Sequence, residues 1–122
     1  MTKRNPIKTA RNKADKLYQI VGLKLNPICE CCGNPATEIH HFLPKSLSNA
    51  LRYDLKNGIS LCRSCHFKHH SRFDPAIYER MTANKSPEWF LYIRNKRREI
   101  IRPTLTWYKS KIDELNENLS KL

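Results

Sequence analysis

The sequence predicts an α+β fold. A small two-stranded core, stapled by a four-cysteine zinc site, sits between an N-terminal helix and a C-terminal helical extension. Three observations predict it. The cysteines form two C-x2-C pairs, Cys29/Cys32 and Cys62/Cys65, with 29 residues between the pairs. Two short runs with strand-like patterning, residues 37–42 (T-E-I-H-H-F) and 58–62 (G-I-S-L-C), lie inside or beside that interval. Outside residues 29–72 the pattern is helical and is punctuated by cap-then-proline signals.

Taken in order, residues 10–25 place Leu17, Ile20, Val21 and Leu25 on one side of a helix that Asn26-Pro27 ends. Residues 29–33 form a knuckle turn, with Gly33 supplying backbone freedom. The strand at 37–42 leads into a loop over 44–57 with a turn of helix near 48–53, and the second strand follows at 58–62. Residues 65–71 read as a short helix. Asp74-Pro75 is a cap followed by a first-turn proline, and Ser86-Pro87-Glu88 repeats the signal and opens a helix running to about residue 101. Pro103 breaks it, and a last helix spans 104–121. Its Leu105, Tyr108, Ile112, Leu115, Leu119 and Leu122 recur at alternating spacings of three and four, an apolar stripe that either packs on the preceding helix or pairs two copies as a homodimer. The organisation is therefore a basic arm and helix (1–28), a zinc-knuckle core (29–72) and a helical extension (73–122), forming a single compact unit.

The 122 residues carry 23 Lys and Arg against 11 Asp and Glu, a net charge of +12, which favours a polyanionic partner, nucleic acid first. The arm at 1–28 holds seven basic residues and one acid, including Lys3, Arg4, Lys8, Arg11, Lys13 and Lys16. Arg94, Lys96, Arg97, Arg98 and Arg102 make a second cluster. No apolar run approaches the roughly 20 residues of a membrane span, and the basic N-terminus precedes no signal-peptide core, so a cytoplasmic protein with no membrane partner is expected. With only three glycines, no phosphate-cradling loop is apparent; nor is a serine triad or a carboxylate pair.

All five cysteines and all five histidines lie between positions 29 and 70. An odd cysteine count without a secretory signal argues for metal over disulfides. Cys29, Cys32, Cys62 and Cys65 can close a tetrahedral structural zinc site. Cys31 is the odd thiol, since the two-residue spacing and Gly33 favour Cys32. His66 and His70, four apart, share a helix face and can hold one ion. His40 and His41 are neighbours on a strand and point to opposite faces, so the natural division is one ligand and one base.

Together, C-E-C-C-G…E-I-H-H-F…N-G-I-S-L-C-R-S-C-H-F-K-H-H resembles the HNH nuclease family, in its zinc-knuckle subtype, over about a third of the chain. The resemblance implies the ββα-metal (His-Me finger) fold and a metal-dependent DNA endonuclease. It implies His41 as the general base that activates water, with Asn57 fixing the loop and the orientation of His41. His40, His66 and His70 would hold a single divalent ion such as Mg²⁺, Mn²⁺ or Zn²⁺, which polarises the phosphate and stabilises the leaving 3′ oxygen.

The run H-F-L-P-K-S-L-S-N-A-L-R-Y-D-L-K-N is similar to phage recombination nucleases of the NinG/Rap kind, differing in His40 where Gly is common and His66 where Asn often sits. That narrower similarity implies branched or recombination-intermediate DNA and a phage-encoded protein acting in the host cytoplasm. Lys45, Arg52 and Lys56, with Arg63, Lys68 and Arg72, are the expected phosphate contacts. Asp54 pairs with Arg52 or supports the loop, and His69 is a spare imidazole that contacts phosphate or lies on the surface. The competing reading is a non-catalytic zinc-stabilised nucleic-acid-binding module, which needs the thiols and the basic arms but not His41. A purely structural zinc adaptor leaves the +12 charge unexplained.

Overall fold

A computed structural model describes residues 5–122. The chain runs α1 (Pro6–Leu25), β1 (Glu38–His41), α2 (Asn49–Arg52), a 3-10 turn (Leu55–Asn57), β2 (Gly58–Leu61), α3 (Arg63–Ser71), α4 (Pro75–Thr82), α5 (Pro87–Lys96) and α6 (Leu105–Ser120). This is the expected α+β architecture of a two-stranded sheet between helices. Lys3 and Arg4 of the basic arm lie outside the described residues. Among the described residues, no helix is long and apolar enough to cross a membrane.

The helices begin where capping chemistry allows. Asn5 caps α1 by accepting from the Ile7 and Lys8 amides, with Pro6 in the first turn, so the helix starts four residues before the expected position. Asp74, Ser86 and Thr104 cap α4, α5 and α6 in the same way. α3 starts at Arg63 instead of residue 65, because Cys62 serves as its cap and accepts from the Cys65 amide. α5 stops at Lys96, five residues short of the expected end. Its last buried side chain is Ile93, and residues 97–100 are all exposed, Ile100 to 98%, so the turn after Lys96 has no surface to bury against.

β1 and β2 pair antiparallel, with Glu38 opposite Leu61, Ile39 opposite Ser60, His40 opposite Ile59 and His41 opposite Gly58. Alternation along the strands creates two cores. On one face Ile39 joins Ala10, Ala14, Tyr18 and Val21 of α1, Tyr53, and Tyr108, Ile112 and Leu115 of α6. On the other, Ile59 and Leu61 join Cys29, Cys62, Cys65, Ile77 and Met81. The apolar stripe of the last helix packs on α1 and not on the preceding helix: Tyr108, Ile112 and Leu115 are buried there, Leu105 and Leu119 are partly buried beside them, and Leu122 is exposed.

α1 lies directly on the sheet at Gly22. A Cβ there would come within 2.6 Å of Ile39 Cγ1, closer than packed carbons approach. At the end of α3 the Asp74 amide bonds to the Lys68 carbonyl, and Phe73, with φ of 51°, fills a left-handed position that usually takes glycine.

Two stability changes follow. Gly22→Ala is expected to destabilise the protein by about 1–3 kcal/mol in denaturant titration, with part of the loss recovered by Ile39→Val. Phe73→Gly removes an unfavourable backbone conformation from a residue that is 84% exposed, so it should leave stability unchanged or raise it by up to about 1 kcal/mol.

Candidate metal centre and hydrolytic site

Two groups of side chains with metal-binding geometry occur among the described residues, Cys29/Cys32/Cys62/Cys65 and His40/His66/His70, each with ligand atoms within 4.8 Å of one another. The thiol group is built by two turns. Gly33, at φ of 79°, closes the first by donating its amide to the Cys29 carbonyl at 3.0 Å, and the Cys29 amide bonds to Asn34 at 2.7 Å. The second is the first turn of α3. Glu30 ties the first knuckle to β2: its amide donates to Ser60 O at 2.9 Å, and its carboxylate accepts from the Ser60 amide and from Lys85.

A tetrahedron with Zn–S of about 2.3 Å has edges of about 3.8 Å, and the Cys32 and Cys62 sulfurs are 3.6 Å apart. Burial pushes the Cys29 thiol up, but backbone hydrogen bonds from Cys62, Cys32 and Cys31 outweigh it and bring the thiol down to about 6. Cys31 faces the other way. Its sulfur lies 3.6 Å from the Ile77 carbonyl, and burial together with the Cys29 and Cys32 charges pushes it up to about 11. The four-cysteine set thus fits a structural zinc ion and leaves Cys31 as packing beside α4.

The imidazole group lies across the sheet face that carries Ile59. His40 is buried on β1, and its Nδ1 is 3.3 Å from His70 Nε2. His66 and His70 reach it from one face of α3, with ring centroids 5.3 and 5.0 Å from that of His40. The His66 Nδ1–H donates to Glu38 Oε1 at 2.7 Å, leaving Nε2 as its free donor atom. Burial and the neighbouring His69, His66 and His70 rings push His40 down to about 3, so it presents a neutral ring with a lone pair. His69 packs edge-on against His40 at 4.9 Å but is outside the group whose donor atoms converge. Three imidazoles converging in this way fit a divalent cation, and their softness suits a transition metal better than Mg²⁺.

His41 points to the opposite face, where its environment comes from other elements. Its ring stacks on Tyr18 of α1, with centroids 4.8 Å apart and planes at 22°. Its Nε2–H donates to the Arg52 carbonyl at 2.9 Å. Every buried side-chain nitrogen and oxygen among the described residues has a partner, and Nδ1 has none, so Nδ1 reaches solvent. Burial, with the Lys45 and Arg52 charges, holds the ring below its ordinary value, so it is neutral at pH 7. His40, His41, His66 and His70 line one cavity of about 320 Å³ together with Glu38, Gln19 and Lys45.

Two expected contacts are placed differently. Asn57 is fully buried and does not touch His41: it accepts from the Leu43 amide and donates to the Leu43 and Leu51 carbonyls, fixing the loop alone. The orienting partner of His41 is the Arg52 carbonyl. The Arg52 side chain turns inward to Asp15, 37 residues away, through bonds of 3.0 and 2.8 Å, so it is committed within the fold and not to phosphate. Asp54 does not pair with Arg52 but supports the loop, capping the 3-10 turn by accepting from the Lys56 amide, and it also accepts from the Tyr92 hydroxyl. Lys45, Lys56, Arg63, Lys68 and Arg72 are all exposed; Lys56 lies over the Tyr92 ring, and Arg72 over Phe67.

Residues 29–72 match the family model described as HNH endonuclease. No curated protein and no solved structure matches the chain. The matched segment holds the antiparallel pair, α3 and both metal-capable groups, which is the ββα-metal layout, and the match supports a metal-binding domain of the nuclease class.

The two groups are expected to separate experimentally. Structural zinc contributes about 10–16 kcal/mol of apparent binding free energy, so Cys62→Ser should lose cooperative thermal unfolding. His66→Ala should keep it. In cobalt-substituted protein the thiolate charge-transfer absorption should survive His66→Ala and vanish in Cys62→Ser.

Proposed function

We propose that this protein is a metal-dependent DNA endonuclease in which His41 activates the attacking water. The observation that carries this reading is the state of His41. Its Nε2–H is held by the Arg52 carbonyl, so Nδ1 is the basic nitrogen, and it opens beside the converging His40, His66 and His70. A neutral imidazole with one nitrogen fixed as donor is suited to take a proton from water at the other. His40, His66 and His70 are the residues that would hold a divalent cation, which supplies Lewis-acid stabilisation of charge developing on a phosphate when bound.

Lys45, on the cavity wall, supplies a fixed positive charge for the same anion. Arg63, Lys68 and Arg72, exposed on or just after α3, extend the positive surface for the flanking backbone. The net charge of +12 supports nucleic acid as the partner. Thiolate-bound zinc takes no part in the chemistry on this reading and holds α3 against β2.

The finer reading, branched or recombination-intermediate DNA cut by a phage-encoded protein in the host cytoplasm, is supported by the resemblance of residues 41–57 to phage recombination nucleases. Preferential cleavage of four-way junctions over linear duplex would support it.

His41→Ala is expected to lower the cleavage rate of supercoiled plasmid in Mg²⁺ or Mn²⁺ by about 10²–10⁴-fold while leaving DNA binding and thermal unfolding close to wild type. Equal inertness of wild type and variant on plasmid, linear and four-way substrates, with binding retained, would instead identify a non-catalytic binding module.

A further inference from the structure

We propose that α1 is part of the catalytic unit, with Asp15, Tyr18 and Gln19 acting as positioning residues that hold His41 in the ring orientation and tautomer its role requires. This rests on the reading of His41 as the base. It goes beyond that reading because all three residues lie outside the segment that matches the nuclease family model.

The three residues lie within two turns of one helix, and they reach His41 directly through Tyr18 and indirectly through Ile39 and Arg52. Tyr18, buried to 1% exposure, stacks on the imidazole, and its hydroxyl is anchored on the Asp54 carbonyl at 2.9 Å. The stack holds the plane of the ring, and the Nε2–H bond to the Arg52 carbonyl sets which ring edge faces that acceptor. Gln19 accepts from the Ile39 amide at 2.7 Å and donates to the Ile39 carbonyl at 2.9 Å, acting as a third strand's worth of pairing for the free edge of β1 two residues before His41. Asp15 acts one step further out. Its carboxylate grips the Arg52 guanidinium with two bonds and accepts from the Tyr53 hydroxyl at 2.8 Å. That fixes residue 52, whose carbonyl is the acceptor for His41 Nε2–H.

The sequence offers no simpler account of this cluster. Tyr18 could fill the same core position as Leu or Phe, and Gln19 is half-buried at a helix surface position where it spends both ends of its amide on one backbone unit. Asp15 is the single acid among 28 residues that hold seven bases, and it faces the loop next to the site instead of solvent. Each choice is explained by the need to hold one imidazole in one state. Hydrogen bonding at the far nitrogen sets which nitrogen of a histidine is available, and displacements of about 1 Å in such a support can cost about 10²-fold in rate.

The test compares zinc-loaded full-length wild type with Asp15→Ala, Tyr18→Leu, Tyr18→Phe and Val21→Ala, the last a core change on the same helix that touches none of these contacts. In protein labelled with ¹⁵N-histidine, two-bond ¹H–¹⁵N spectra read the His41 tautomer directly. Wild type, Val21→Ala and Tyr18→Phe are expected to show one tautomer with the proton on Nε2, and Asp15→Ala and Tyr18→Leu a mixture. With supercoiled plasmid and Mn²⁺, kcat should fall roughly 10–100-fold in Asp15→Ala and Tyr18→Leu, with KM within about threefold. Tyr18→Phe should recover most of the loss.

The proposal is overturned if Asp15→Ala and Tyr18→Leu keep the wild-type tautomer, or if their kcat falls no more than that of Val21→Ala at matched melting temperature. If wild type cleaves no DNA, the nuclease reading fails by itself, and the spectra still decide whether α1 holds the ring.

Discussion

The alternation of side chains along β1 is the constraint on which the rest of this structure turns. Successive residues of a strand face opposite ways, so His40 and His41 take their packing neighbours from different elements although both line one cavity. The face of His40 needs an element that brings more imidazoles, and α3 supplies His66 and His70 from one stripe. The face of His41 needs an element that holds a lone ring still, and α1 supplies Tyr18. The thiolate cluster sets the first arrangement. Cys62 caps α3 and Cys65 sits in its first turn, so the zinc ligands fix where α3 begins and hence where His66 and His70 meet β1. Loss of that staple would free the very helix on which the imidazole group depends, which is why scaffold and site are inseparable on this face and separable by mutation only from the histidine side.

The electrostatics point the same way. Four imidazoles, His40, His66, His69 and His70, crowd together, and Glu38 is the carboxylate engaged with them, through His66. Protonating several of these rings together would place like charges about 5 Å apart beside a buried strand. Burial and mutual repulsion keep His40, His69 and His70 below their ordinary values. Neutral rings with converging lone pairs are disposed to share a cation. Lys45 lines the cavity, and Arg63 and Lys68 of α3 are exposed. A polyanion is thus attracted to the rim, and the cavity wall presents neutral nitrogen donors to whatever cation sits within.

Much of this was legible in the sequence because it is written in local periodicities. Cysteine pairs two residues apart, histidines four apart on a helix and histidines adjacent on a strand each translate directly into a geometry. Cap-and-proline signals place the starts of α4 and α5 for the same reason, and Pro103 marks the break before α6. What could not be read was carried by single side chains reaching across the chain. Nothing local distinguishes Arg52 in a basic loop from a phosphate contact, because Asp15 lies 37 residues away. Asn57 looked like the partner of His41, yet the acceptor is a backbone carbonyl, a group every residue has and no sequence pattern marks. The end of α5 was missed because a helix stops where burial stops, and Ile100 gave the appearance of a further apolar turn that has no surface to meet. The stripe of α6 was visible, but its partner, α1, is the element most distant from it in sequence.

That last pairing carries a consequence for how the site is maintained. The segment resembling a nuclease domain begins at residue 29, yet the core beneath His41 is built from Ala10 to Leu115. α6 covers α1 through Tyr108, Ile112 and Leu115, and α1 in turn presents Tyr18 and Gln19 to β1. α1 and α6 are therefore packed together behind one face of the sheet, while the four-cysteine group, which fits zinc, lies on the other. A two-stranded sheet is marginal by itself, and here each of its faces has a support of different chemistry: a thiol group suited to a metal on the side of His40, apolar helix packing on the side of His41. Loosening of α6 would reach His41 through α1 without disturbing the thiolates, and loss of zinc would reach His66 and His70 without first disturbing Tyr18. His41 and the proposed ligand His40 thus answer to different parts of the molecule, although they are neighbours in sequence.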